Sequence, residues 1–354
     1  MGSRRLRGGG GLIPGLVLAV VVTGASLAAA GSYRQVTRVA VPGAPLASFD
    51  ISWVDTRTHT YYLADRSNGG VDLINTTDQT FVKRIGGFVG FRGKNDVSGP
   101  AGLVQVPDRR ELWVGDGDST VKVVDLQSGG VVATISTGGT KRADELDYDP
   151  THHIILITNP DDEPPFVTLI STTTRAVLGK IPFPDATDGV EQPVWEPETQ
   201  RFYQAVPETK ANPGGAIALI DPVAMKVTQE IPLTLCFPHG LAIGPNQEMV
   251  VGCSKEKDAR SIILNVRTGA VVATVTEVGG SDQVWYNPGD RRYYLAARAN
   301  PGGPVLGVID AVTHRWVENV PTTKDAHSVA VDATTNRVFV PLTNQGVGVY
   351  AAGD

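Results

Sequence analysis

The chain has 354 residues, 41% of them hydrophobic and 19% charged, with 40 Gly, 24 Pro, 2 Cys and a formal charge of -6. That apolar content excludes a disordered chain, and the modest acidic balance excludes a sequence-independent grip on nucleic acid. Two cysteines exclude a disulfide framework, while frequent Gly and Pro among Val, Ile and Thr point to a large all-β protein of short strands and many turns.

In chain order, the first expectation is an export signal over residues 1–30. Arg4, Arg5 and Arg7 precede an apolar stretch at 12–30, and Ala28-Ala29-Ala30 supplies a small-residue cleavage pattern. The competing reading is a retained membrane anchor, but Gly, Ser and Thr dilute a run that barely reaches the ~20 residues a span requires. Cleavage is therefore expected, without stable membrane insertion afterwards and with a secreted, periplasmic or cell-envelope location. Ser3-Arg4-Arg5 suits a twin-arginine signal and an ordinary secretory signal alike. Loss of the three arginines takes the formal charge of the mature domain, 31–354, from -6 to -9.

Seven copies of one unit follow. A polar residue, four mostly apolar positions and a closing polar or small residue recur at Asp50 (DISWVD), Ala101 (AGLVQV), Asp144 (DELDYD), Glu191 (EQPVWE), His239 (HGLAIG), Asp282 (DQVWYN) and His327 (HSVAVD), 43 to 51 residues apart. Each copy leads into a second strand such as TYYLAD, ELWVGD or RYYLAA, then a third and fourth around a polar turn, as in VKVVDLQSGGVVATI. Four strands per ~45 residues is the pattern of a propeller blade. After His327 the chain supplies only three strands, ending at 347–350, and the unmatched segment 35–41 reads as the fourth. The expected fold is a seven-bladed β-propeller whose last blade is closed by the N-terminal strand. Such closure leaves no sheet edge open and requires no partner, so a monomer is expected.

His327-Ser-Val-Ala-Val-Asp332, His239-Gly-Leu-Ala-Ile-Gly244 and third strands such as Val124-Asp125-Leu126 resemble YVTN and NHL-type seven-bladed propellers over the whole mature region. That resemblance speaks to architecture, since such propellers serve as enzymes and as binding scaffolds.

In a propeller the innermost strands line the central channel, so the seven heads Asp50, Ala101, Asp144, Glu191, His239, Asp282 and His327 should ring one mouth. Six of these are carboxylates or imidazoles. Crowded acids repel and raise one another's pKa unless a cation or protons compensate. The hard oxygens of Asp50, Asp144, Glu191 and Asp282 suit calcium, whereas the arc Glu191, His239, Asp282 and His327 suits zinc, or iron with open positions. A solvated polar ring without metal is the bland alternative. Second-strand ends add Asp65, Arg66, Asp116, Asp118, Asn159, Glu208, Arg298 and Asn344 to the same face. Arg66 and Arg298 are suited to a substrate carboxylate or a developing oxyanion, and Asn159 and Asn344 to substrate contacts; strand-end capping is the competing role. Asp116-Gly-Asp118 lacks the remaining calcium-loop ligands and reads as a turn. The long connection 86–100 places Phe88, Phe91 and Arg92 where a lid or binding loop would lie, or where the Phe side chains pack onto the blade.

Cys236 and Cys253 flank the hairpin of blade 5, whose pairing sets about residue 238 opposite 253; a disulfide is expected in an exported protein, a buried free pair being the alternative. Two functions remain open. One is a divalent-metal-dependent hydrolase or lyase acting on a small ester, lactone or oxygenated ring. It follows the likeness to exported propellers of the gluconolactonase and paraoxonase group, which implies Glu191, His239, Asp282 and His327 as ligands, Asp50 or Asp144 as base, and Arg66 or Arg298 at the oxyanion. The calcium site of that group relies on Asn and Glu, while this ring is richer in His and Asp. The other function is a non-catalytic module that grips a peptide, glycan or partner protein.

Overall fold

A computed structural model describes residues 1–3, 32–254 and 259–353. Beyond its first three residues, the export signal expected over 1–30 lies outside them.

Seven four-stranded antiparallel sheets are arranged as successive blades of one ring. Their inner strands are Ser52–Asp55, Leu103–Val106, Leu146–Asp149, Pro193–Glu196, Pro238–Ile243, Val284–Asn287 and Ala330–Asp332. The second and third strands of each blade read as near-continuous apolar runs because both sheet faces are covered by neighbouring blades. Phe202 and Tyr203 illustrate this. They are adjacent on one strand, yet the first packs into a cluster with blade 3 residues and the second into a cluster with blade 5 residues. Every pair of neighbouring blades shares such a cluster, seven in all.

Blade 7 is completed by Tyr33–Val39, which pairs antiparallel with Gly346–Ala352. The closing strand therefore starts and stops two residues earlier than its apolar pattern suggests. Tyr33 draws it outward: the backbone N–H donates to Glu318 at 2.6 Å and the buried hydroxyl meets Tyr294 at 2.9 Å. At the other end Pro42 and Pro45, which have no N–H to offer a ladder, carry the chain across the top face into blade 1.

Polar side chains in the second motif position stitch the inner strands together. Gln192 of blade 4 accepts the Leu241 N–H of blade 5 at 3.1 Å, and Gln283 of blade 6 accepts the Val329 N–H of blade 7 at 2.9 Å. Ser52 and Ser328 join the second network through a 2.7 Å hydroxyl contact.

Candidate metal centre and catalytic mouth

The inner-strand heads meet at one opening because the repeat gives them one backbone register. Asp50, Asp144, Glu191 and Asp282 donate their N–H groups to Ala64, Thr158, Ala205 and Ala296 at 2.8, 2.8, 3.0 and 3.1 Å, equivalent positions of four second strands. A cavity of about 770 Å³ lies above them. Asp50, Asp144, Glu145, Glu191, Asp282 and His327 line it, with Arg66, Arg142 and Arg298 interleaved. Its wall includes Phe49 from the top-face crossing and Phe91 from the long connection.

Glu191, His239 and Asp282 each present one ligand-type atom, and these atoms lie within 4.8 Å of one another. His239 Nδ1 is 3.6 Å from Glu191 Oε2 and 3.8 Å from Asp282 Oδ1. Gly240 makes this meeting possible. A Cβ there would collide with the Asp282 carbonyl and the Val284 nitrogen, so only glycine lets the head of blade 5 approach blade 6 this closely. His327, expected as a fourth ligand, stands apart from this group. Its Nδ1 lies 2.7 Å from the Asp325 carbonyl, its Nε2 3.4 Å from Asp50 Oδ1, and its ring stacks on Phe49 with centroids 4.9 Å apart. One imidazole and two carboxylates suit zinc or iron better than calcium, which prefers an all-oxygen shell.

Charge in the mouth is organised as pairs. Arg66 pairs with Asp50, Arg142 meets Asp144 at 2.7 Å, and Arg298 meets Asp282 at 2.9 Å. Burial disfavours the charge on Asp50, but Arg66 and His327 outweigh it and hold the carboxyl below the usual range. The same contest at Asp282, between burial and the nearby Arg298 and His239, also ends low. Burial wins at Asp144 and Glu191. The first is pushed up to about 6 despite Arg142, and the second to about 7 despite His239, with Asp282 and Asp144 adding repulsion. For His239 burial favours the neutral ring, yet Glu191 and Asp282 together carry it up to about 9.

The remaining expected residues divide. Arg298 and Asn344 line the cavity, as does Phe91, which is 51% exposed. Phe88 instead packs on the core shared by blades 1 and 2, with the Lys122 ammonium 5.4 Å from its ring centroid. Arg92 is exposed and not among the lining residues; its N–H donates to Ser98 Oγ. Asn159 is fully buried, and its amide donates to Ser119 Oγ at 2.9 Å and to the Arg142 carbonyl at 3.1 Å. It braces the segment that carries Arg142 and is not part of the cavity lining. Asp116 is likewise internal, paired with Lys122. Cys236 and Cys253 form a disulfide, with Pro238 paired opposite Cys253.

Sequence reasoning passed over Arg142 and Glu145. Arg142 precedes a head by two residues, outside the repeated motif. Glu145 carried a visible signal, being the sole acid among the seven second positions.

No family model and no curated protein matches the chain. Its functional reading therefore rests on the mouth itself.

Proposed function

We propose that the mouth holds one divalent ion on Glu191, His239 and Asp282 and hydrolyses a small ester or lactone bound in the adjoining cavity. The observation that carries this reading is the convergence of one imidazole and two carboxylates from three different blades beside a cavity of about 770 Å³. When bound, the ion supplies Lewis acidity toward a carbonyl oxygen and lowers the pKa of a coordinated water. Asp144 is better suited as base than Asp50, because Asp50 is held ionised by two partners whereas Asp144 titrates at about 6, nearer the working range of a general base. Arg298, 41% exposed at the cavity, is suited to the developing oxyanion or to a substrate carboxylate. Kinship with YVTN, NHL-type and gluconolactonase-like propellers, and work outside the cytoplasm after export, belong to the same proposal; the repeat motifs and the arginine-led N-terminus support them.

Metal analysis of the purified mature protein tests the reading. One equivalent of ion, lost in a Glu191→Gln/His239→Ala double variant together with hydrolysis of a panel of simple lactones and esters, is the expected result. Absence of any ion, with no thermal shift on adding zinc, iron(II), manganese or calcium, would overturn it in favour of a binding module.

A further inference from the structure

The carboxyl group of Glu145 is anomalous among the acids of the mouth. Asp50, Asp144, Asp282 and Glu191 each have a cationic neighbour in Arg66, Arg142, Arg298 and His239 respectively. Glu145 is 94% buried by its 6% exposure, lines the cavity, and its Oε2 has no hydrogen-bond partner. The repeat explains why. In blades 4 and 6 the second-position side chain, Gln192 or Gln283, accepts the N–H two residues past the head of the next blade, at Leu241 or Val329. The residue equivalent to Leu241 and Val329, two past Glu191, is Pro193. Proline has no N–H, so the donor that this position ordinarily meets is missing.

We propose that Glu145 is a further catalytic residue, the general acid that protonates the leaving oxygen. This rests on the hydrolytic reading of the mouth. The groups acting on it are carboxylates from several sides, Glu191 and Asp282 foremost, then Asp144 and Asp50. Its own second strand offers only Thr158, bonded to the Glu145 backbone. Blade 2 approaches with the backbone at Gly102, which brings no charge. Burial, the leading cause, raises Glu145 above the usual glutamate range and so favours its protonated, donating form. As water oxygen bonds to the substrate carbonyl carbon, its proton passes to the Asp144 carboxylate. The carbon–oxygen bond to the leaving group then breaks, and that oxygen takes the proton of Glu145. One water is consumed, and a proton returned from Asp144 to Glu145 through cavity solvent restores both groups.

Three measurements on the mature, metal-loaded protein test this. Glu145→Gln, near isosteric, should keep its ion yet lose about 100-fold or more in kcat for alkyl lactones, and about tenfold or less for activated aryl esters whose leaving group needs no proton. Pro193→Ala restores an N–H donor to the carboxylate and should move the alkaline limb of the pH profile downward. Infrared difference spectra, wild type minus Glu145→Gln at pH 7, should contain a protonated carboxyl band. Equal losses on both substrate types, an unmoved alkaline limb, or absence of that band would overturn the acid role while leaving the metal reading standing. A wild type without ion or hydrolysis removes the parent reading and this role with it.

Discussion

His239 sits between two carboxylates that raise its pKa from 6.5 to about 9, while burial raises Glu191 from 4.5 to about 7 and Asp144 from 3.8 to about 6. All three bind protons more tightly folded than unfolded, so each contributes stability below its unfolded pKa that is lost as pH rises through the folded value. Asp50 and Asp282 have depressed values and lose their contribution only in acid, below the ordinary carboxylate range. The chelator-treated protein should therefore melt at progressively lower temperature between pH 5 and 9. A bound ion must displace the protons of His239 and Glu191, so its stabilising increment should grow with pH over the same window. Differential scanning calorimetry with chelator and with zinc checks both slopes; a chelated protein whose Tm rises across the window contradicts the arrangement. At this scale the sequence displayed the polar heads but not their pairing. Glu191, His239, Asp282 and His327 form a contiguous arc in the motif list, yet His327 turns to Asp50 and Asp325. Which head meets which depends on local backbone approach, governed by Gly240 at one head, and a list of equivalent positions does not contain that.

At the scale of elements, the disulfide of blade 5 adjoins the candidate metal group. Cys236 precedes His239 by three residues, and its N–H donates to the Gly214 carbonyl at 3.1 Å, while Cys253 ends the second strand opposite Pro238. The bond spans a separation of 17 residues, for which loop closure in the unfolded chain gives a stabilisation of about 3 kcal/mol. A Cys236→Ser/Cys253→Ser double variant should unfold in urea with a loss of that size. Because the bond fixes the segment leading into His239, ion affinity should fall by about tenfold as well, as for other supports of metal ligands. Unchanged ion affinity in the folded variant would show that Gly240 and the inner strand alone place the imidazole. The strands themselves were legible because each blade repeats one apolar pattern. Connections were less so: 86–100 divides between a docked half at Phe88 and a mouth-lining half at Phe91. Docking follows from Lys122, which donates to the Gly87 carbonyl at 2.9 Å, a contact remote in sequence. The wall contributed by 44–49 also went unread, since a Pro-rich linker carries no periodicity to place it.

For the whole molecule, the candidate metal group has meaning only while the ring is closed, because its donors come from three blades whose spacing the ring enforces. Closure depends on Tyr33–Val39 against Gly346–Ala352, and the Gly353 N–H donates to the Ser32 carbonyl at 3.0 Å, so the two ends of the propeller adjoin. Removing residues 1–39 takes away the buried Tyr33 and Val39. Each contributes about 1.5–3 kcal/mol of apolar burial, and the loss also strips the ladder partners of a buried strand. The sum, about 5 kcal/mol or more, approaches the entire 5–15 kcal/mol of a typical domain. What remains exposed is GVGVYAA, an uncharged and proline-free edge able to template intermolecular pairing. A chain beginning at 40 should therefore aggregate or melt far below one beginning at 32. A circular permutant answers whether the strand or merely the chain order matters. Joining 353 to 32 through a short linker and opening the exposed turn at Gln127-Ser128 keeps every strand and all three donors. It should melt within a few degrees of the unpermuted protein and bind the same equivalent of ion. A permutant that folds but binds no ion would mean that something other than ring closure sets the spacing of Glu191, His239 and Asp282.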